Sequence, residues 1–192
     1  MHGVSPKVVV AFLISFVTMY ALNSSKFLSL IVADSFSNFV EIPASPSHDV
    51  PILKALSKPT TFLDTVKRLY NQYGSEIRSY RPYMRKWCQV THNCKFTDFE
   101  VEMLYMILRE TKPQHVFEMA PNKGFSTHWI LEALTQNDKS STLYSYDVHN
   151  ASLKFMKNPK FQERWIFTLG DYRDLLKSGE LRMDTFDFIF ID

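Results

Sequence analysis

His115–Thr127, HVFEMAPNKGFST, is the stretch whose reading decides the fold. Val116–Met119 is a short apolar run that carries a carboxylate, Glu118, at its carboxyl end. Ala120–Gly124 is a turn, and Ser126 and Thr127 are residue types that open helices. Further along, Leu143–Val148 (LYSYDV) is a second strand ending in Asp147. Trp165–Leu169 is a third, followed by Gly170-Asp171, and Phe186–Ile191 is a fourth, followed by Asp192. Helical segments lie between them: Ser126–Leu134, Ala151–Met156, and Tyr172–Lys177 with Gly179 as its breaker. Strands alternating with helices predict a parallel sheet, because a parallel crossover needs a helix's length and is right-handed. The expected class is α/β, a Rossmann-like three-layer sandwich with a parallel sheet. Its N-terminal half is present, strands one to four, preceded by helices and an apolar anchor. The carboxyl ends of such strands form the crevice where ligands bind.

Upstream, Thr97-Asp98-Phe99-Glu100 reads as a capping box opening a helix to Arg109, with Phe99, Met103, Met106 and Ile107 on one face. Thr61–Tyr73 reads as another helix, with Gly74 as its stop, and Arg78–Cys94 is aromatic and basic without a clean period. Val8–Leu22, VVVAFLISFVTMYAL, has no charge over fifteen residues. A spanning helix needs about 20 residues and a secretory signal has an apolar core of about 7–15. The run is read as a short uncleaved signal anchor, with a cleaved signal peptide as the alternative and a buried soluble helix as the remaining reading. The expected divisions are 1–37 for anchor and flank, 38–59 for a Pro/Ser-rich linker, and 60–192 for the domain. The body would then sit in a secretory, Golgi-like lumen on a single membrane pass, or be secreted. Lys7 and Lys26 flank the run evenly and leave its orientation open.

A net charge of +2 with no Lys/Arg block excludes a nucleic-acid partner as the expectation. Five glycines are few for a pyrophosphate-binding loop. Cys88 and Cys94 match no zinc spacing; pairing and two free thiols both remain open.

The strand-end acids carry the chemistry. Glu118 can accept from a ligand's ammonium or from backbone N–H groups. Gly124 allows close backbone approach, and Ser126 or Thr127 caps the helix whose positive end faces the crevice. Asp147, 23 residues after Gly124, stands near the spacing at which an acid accepts from both ribose hydroxyls. Asp171 can accept from an adenine amine or cap the helix at Tyr172. A dinucleotide would want G-x-G-x-x-G, and its phosphates would be repelled by Glu118. A ligand with a ribose, an adenine and a cationic amino-acid tail fits better, and that is S-adenosylmethionine.

Glu118–Leu134, EMAPNKGFSTHWILEAL, resembles the class I S-adenosylmethionine-dependent methyltransferases. Within them it is similar to the branch whose first motif reads E-(I/F)-(G/S)-P-x-x-G-(W/F)-S-T-x-W-(I/M)-L-x-A-L. Phe96–Glu100, Arg109-Glu110 with Pro113, Tyr144–Asp147, Arg164-Trp165 and Gly170-Asp171 match the branch as well. The resemblance implies S-adenosylmethionine as cofactor. Glu118, Ala120, Pro121 and Gly124 would line its methionine end, with Asn122, Ser126 and Thr127 in the same cofactor-binding loop and helix opening. Asp147 would hold the ribose and Asp171 the adenine. Ala120 and Asn122 stand where the glycine-rich form of the motif has glycines. Asp192 is the candidate catalytic residue, or a ligand for a divalent metal in metal-dependent relatives. The family's domain continues beyond the fourth strand, so a truncated domain is expected. The expected reaction is O-methyl transfer to a small molecule or a glycan hydroxyl. The alternative is a non-catalytic remnant whose fourth strand exposes an unpaired edge.

Overall fold

The computed structural model describes residues 9–12, 51–56, 58–92, 96–137 and 140–191. Its centre is a five-stranded parallel sheet of β1 (Val9–Phe12), β2 (His115–Met119), β3 (Thr142–Asp147), β4 (Trp165–Leu169) and β5 (Phe188–Ile191). The order is β1-β5-β2-β3-β4. The chain runs outward from β2 through β3 to β4, then returns to place β5 on the other side of β2. The direction of strand addition therefore reverses at β2, which puts the crevice at its carboxyl end.

Side chains alternate between the two faces of each strand. Val116, Leu143, Phe188 and Phe190 point into one core, which is covered by α2 (Pro59–Thr91), α3 (Asp98–Thr111) and α4 (Phe125–Asn137). Phe117 and Ile189, with Tyr144, Tyr146 and Ile191 packed against them, form a smaller cluster on the opposite face. Leu181, Phe186 and α7 (Tyr172–Ser178) cover it. Short helices α5 (Ala151–Phe155) and α6 (Pro159–Gln162) connect β3 to β4. By alternation Glu118, Ser145 and Asp147 share the face that α4 covers.

Three expectations change. First, the sheet does not end at the fourth strand with an open edge: β5 is interior, paired in parallel with Val9–Phe12, Val9 opposite Phe188 and Phe12 opposite Ile191. Consecutive valines favour an extended strand, and β5 offers the hydrogen-bonding edge they need. The membrane-anchor reading of Val8–Leu22 therefore loses its first residues to the sheet. Leu13–Leu22 is ten residues, half of a membrane span. Those ten residues lie outside the described ones. No helix among the described residues is long and apolar enough to cross a membrane.

Second, the 38–59 linker ends in helix rather than loop. Pro51–Leu56 is α1, with Ile52 buried. Pro59 opens α2, and residues 38–50 and 57 of that linker lie outside the described residues.

Third, Gly74 does not stop a helix. α2 runs 33 residues through Gly74 and Pro82. Val66, Leu69, Tyr73, Ile77, Met84 and Trp87 are all buried at steps of three, four or seven, a continuous stripe. One interior glycine costs about 1 kcal/mol, less than that stripe gains by burial. The helix begins with Pro59 in its first turn, so Thr61 is inside it, and its hydroxyl donates to Ala55 O at 2.5 Å. It closes at His92 in a left-handed conformation, whose N–H donates to Cys88 O. Cys88 is disulfide-bonded; Cys94 lies outside the described residues.

The capping box of α3 forms as read. Thr97 Oγ1 accepts from Glu100 N, and Thr97 N donates to Glu100 Oε2 at 2.7 Å. Helices α2 and α3 are joined by partly buried polar pairs. Glu102, almost fully buried, accepts from Arg81 Nε at 2.5 Å and from Tyr70 OH at 2.7 Å. Burial and the Glu102 carboxylate together push the Tyr70 phenol far up. Glu76 likewise accepts from Arg109 and Tyr105. Removing one partner of such a pair strands a charge. Arg81→Ala should lower stability by roughly 2–3 kcal/mol, read from urea unfolding midpoints, since Tyr70 still serves Glu102. Arg81→Met with Glu102→Leu should lie closer to wild type than Arg81→Ala does.

Candidate functional site

The loop after β2 carries three residues with positive φ at alternate positions: Ala120 (59°), Asn122 (51°) and Gly124 (93°). These are the glycine positions of the family motif, so the glycine-type backbone is present although two glycines are not. Asparagine tolerates this region; alanine pays about 1–2 kcal/mol for it. Gly124 is required by its conformation; a Cβ there would also come 2.9 Å from Met156 Sδ, so the flexible Met156 side chain would have to shift.

Hydrogen bonds pin the loop at each step. Ala120 N donates to Tyr146 O at 2.8 Å, Asn122 N to Asp147 Oδ2 at 3.0 Å, and Gly124 N to Pro121 O at 2.7 Å. Lys123 Nζ reaches the carbonyl of Thr91 at 2.8 Å, a cation at the negative end of α2. Trp87 stacks on Phe125 with centroids 5.8 Å apart. The carboxyl end of α2 thus walls one side of the loop. Sequence reasoning gave it no such role, because Arg78–Cys94 was not read as helix.

Glu118 is fully buried beneath the loop. Its Oε1 accepts from Ser126 Oγ at 2.7 Å, its Oε2 from Ser145 Oγ at 2.6 Å, and Thr127 Oγ1 bridges both oxygens. Ser126 and Thr127, expected as caps facing the ligand, instead turn their hydroxyls down onto this carboxylate. Ser145 was not singled out from the sequence. Its signal is period two: Leu143, Ser145 and Asp147 fall on one face of β3.

Asp147, also buried, closes β3. Oδ2 takes the Asn122 amide and Oδ1 the His149 amide at 2.9 Å. A carboxylate accepts about four hydrogen bonds, so each oxygen keeps a lone pair, a match for a vicinal diol. Directly after β3 comes Val148, and Leu169 ends β4 opposite Asp147; both are 58% exposed, two apolar surfaces beside the crevice. Asp171 caps α7, accepting from Arg173 N at 2.9 Å, and pairs with the Arg173 guanidinium. That neighbour pulls its carboxyl down to about 2. Of the two readings of Asp171 the helix cap is the one formed, and both of its oxygens also bond the Arg173 guanidinium. Asp192 lies outside the described residues, so neither its catalytic nor its metal candidacy is placed. A groove of about 330 Å³ is lined by His115, Tyr144, Leu181 and Phe186. It opens over the opposite face of the sheet from Glu118 and is not part of this site.

His128, one turn into α4, is buried against Trp87 and Phe161. Its Nδ1 sits 2.7 Å from Gly124 O, and a carbonyl only accepts, so Nδ1 carries the proton. Burial pulls its pKa down to about 4.

A family model described as "Methyltransferase domain" matches residues 121–192. That likeness over 121–192 agrees with the resemblance to the class I S-adenosylmethionine-dependent methyltransferases. Among solved structures, a putative O-methyltransferase from Klebsiella pneumoniae is 20% identical, with a TM-score of 0.49 over 58% of this chain and 53% of its own. An O-methyltransferase from Bacillus cereus in complex with SAH is 16% identical, with a TM-score of 0.48 over 59% and 54%. The O-methyltransferase TomG from Streptomyces achromogenes, involved in tomaymycin synthesis and solved with SAM, is 17% identical, with a TM-score of 0.43 over 50% and 44%. The chain spans about half the length of these proteins. No curated protein matches it.

Two outcomes follow. Ala120→Gly should raise stability by a net ~0.5–1 kcal/mol, strain relief less the added unfolded-state entropy, while Gly124→Ala should lower it; thermal melts measure both. For His128 the unfolded chain binds a proton below about pH 6.5 and the folded chain only below about 4. Stability should therefore fall as pH drops through that window, by about 3 kcal/mol in all. His128→Asn should flatten that part of the profile.

Proposed function

We propose that this protein binds S-adenosylmethionine at the carboxyl ends of β2, β3 and β4 and transfers its methyl group to a hydroxyl oxygen. The acceptor would be a small molecule or a glycan. The observation that carries the reading is the Ala120–Gly124 loop. Its three left-handed residues form the backbone shape of a glycine-rich cofactor loop, pinned to a strand-end aspartate that keeps one lone pair free on each oxygen. Asp147 would hold the ribose diol. Val148 and Leu169 would flank the adenine, with Asp171 near its amine. The loop and the opening turn of α4 would face the methionine end.

S-adenosylmethionine brings its own activated methyl, so the chain's residues need only hold it in line with the acceptor oxygen and exclude water; that positioning is the larger share of the acceleration. Asp192, which lies outside the described residues, would be the candidate to accept the hydroxyl proton. The family-model match over 121–192 supports the same reading. A lumenal or secreted setting remains a proposal resting on the apolar N-terminal run alone.

Calorimetric titration of S-adenosylhomocysteine into the protein tests the reading. Micromolar binding is expected, with at least tenfold loss in Asp147→Ala, about the worth of one hydrogen bond to a charged group. Absence of binding by the folded protein would sink it.

A further inference from the structure

We propose that Ser145 and Trp165 are positioning residues for the cofactor loop, acting through Glu118; the inference rests on the cofactor reading above. Glu118 is sealed from solvent, so it cannot itself touch a ligand in the crevice. What it touches is the loop's two ends. It belongs to the strand that leads in, and it accepts from Ser126 and Thr127 on the helix that leads out.

The orientation of its carboxylate is set from the far side. Trp165 Nε1, on β4, donates to Ser145 Oγ at 2.9 Å. With that lone pair occupied, Ser145 directs its own proton to Glu118 Oε2 at 2.6 Å. The result is a one-way chain of donors across three adjacent strands, from β4 through β3 to β2, ending under the loop.

The loop needs such a clamp more than a glycine-rich one would. Ala120 holds a left-handed φ against its own Cβ, and such strain persists only where surrounding contacts over-determine the backbone. In a loop with glycine at that place the conformation is free of this penalty, and the clamp would matter less. The chain of hydroxyls and the missing glycine are thus two halves of one arrangement. Relieving the strain should make the clamp dispensable, which a general packing role would not do.

The test uses the protein with S-adenosylhomocysteine as probe, and amide hydrogen exchange at Ala120, Asn122 and Gly124 as a ligand-free readout. Ser145→Ala should weaken binding about tenfold and Trp165→Phe about threefold, each speeding exchange at those amides more than in α3. Adding Ala120→Gly to Ser145→Ala should recover most of the lost affinity and protection. Wild-type exchange at the loop in both variants would overturn the proposal. So would uniform loss of protection across the sheet, or a double variant no better than Ser145→Ala. If the wild type binds no S-adenosylhomocysteine, the cofactor reading falls, and the exchange data alone still decide the positioning role.

Discussion

A carboxylate taken out of water must be met by donors or the fold does not form, and Glu118 meets that demand at the point where β2, β3 and α4 converge. Desolvating a charge costs several kcal/mol, while hydrogen bonds to charged groups return about 1.5–3 kcal/mol each. Three hydroxyls supply them, from Ser126, Thr127 and Ser145. That requirement fixes the register between β2 and β3, since a slip of one residue would turn Ser145 to the opposite face. It also fixes where α4 begins, because Ser126 and Thr127 must lie in its opening turn. The loop between these fixed points has little freedom left, and its backbone takes the one shape that spans them.

The other wall of the site comes from α2, which meets the loop through its last turns. Trp87 packs on Phe125 and on the His128 ring, and Lys123 bonds the Thr91 carbonyl. The stripe that buries α2 and the contacts that shape the loop therefore belong to one helix. Movement of its carboxyl end would be felt at Asn122 and Gly124 through Lys123. The disulfide at Cys88, one turn before Thr91, lies in that segment.

Most of the sheet was legible because strands β2 to β5 are short apolar runs with polar ends, separated by helix-length segments. The loop was legible as a motif and not as a conformation. Residue types said that two glycines were absent, while the backbone shows that Ala120 and Asn122 occupy left-handed conformations regardless. Asp147 was found because its chemistry is at its own position. Ser145 and Trp165 were not, because their significance lies in what they face across neighbouring strands, and pairing register cannot be read from one strand alone. Gly74 misled because a local breaker was weighed without the buried stripe on either side of it. The apolar run at the start is open to more than one reading for a related reason: hydrophobicity marks burial, and both a bilayer and the edge of β5 offer it.

The pairing of Val9–Phe12 with Phe188–Ile191 joins segments roughly 180 residues apart in the chain. A ribosome adds roughly 5–20 residues each second. The first strand therefore emerges and waits on the order of ten seconds or more before its partner exists. During that interval a run of valines has no sheet to join, and whatever first offers it shelter competes with the fold. Any chaperone or targeting factor that binds short apolar segments would compete for it in that window. The fate of the amino terminus is thus settled by the order of synthesis as much as by the energy of the finished sheet.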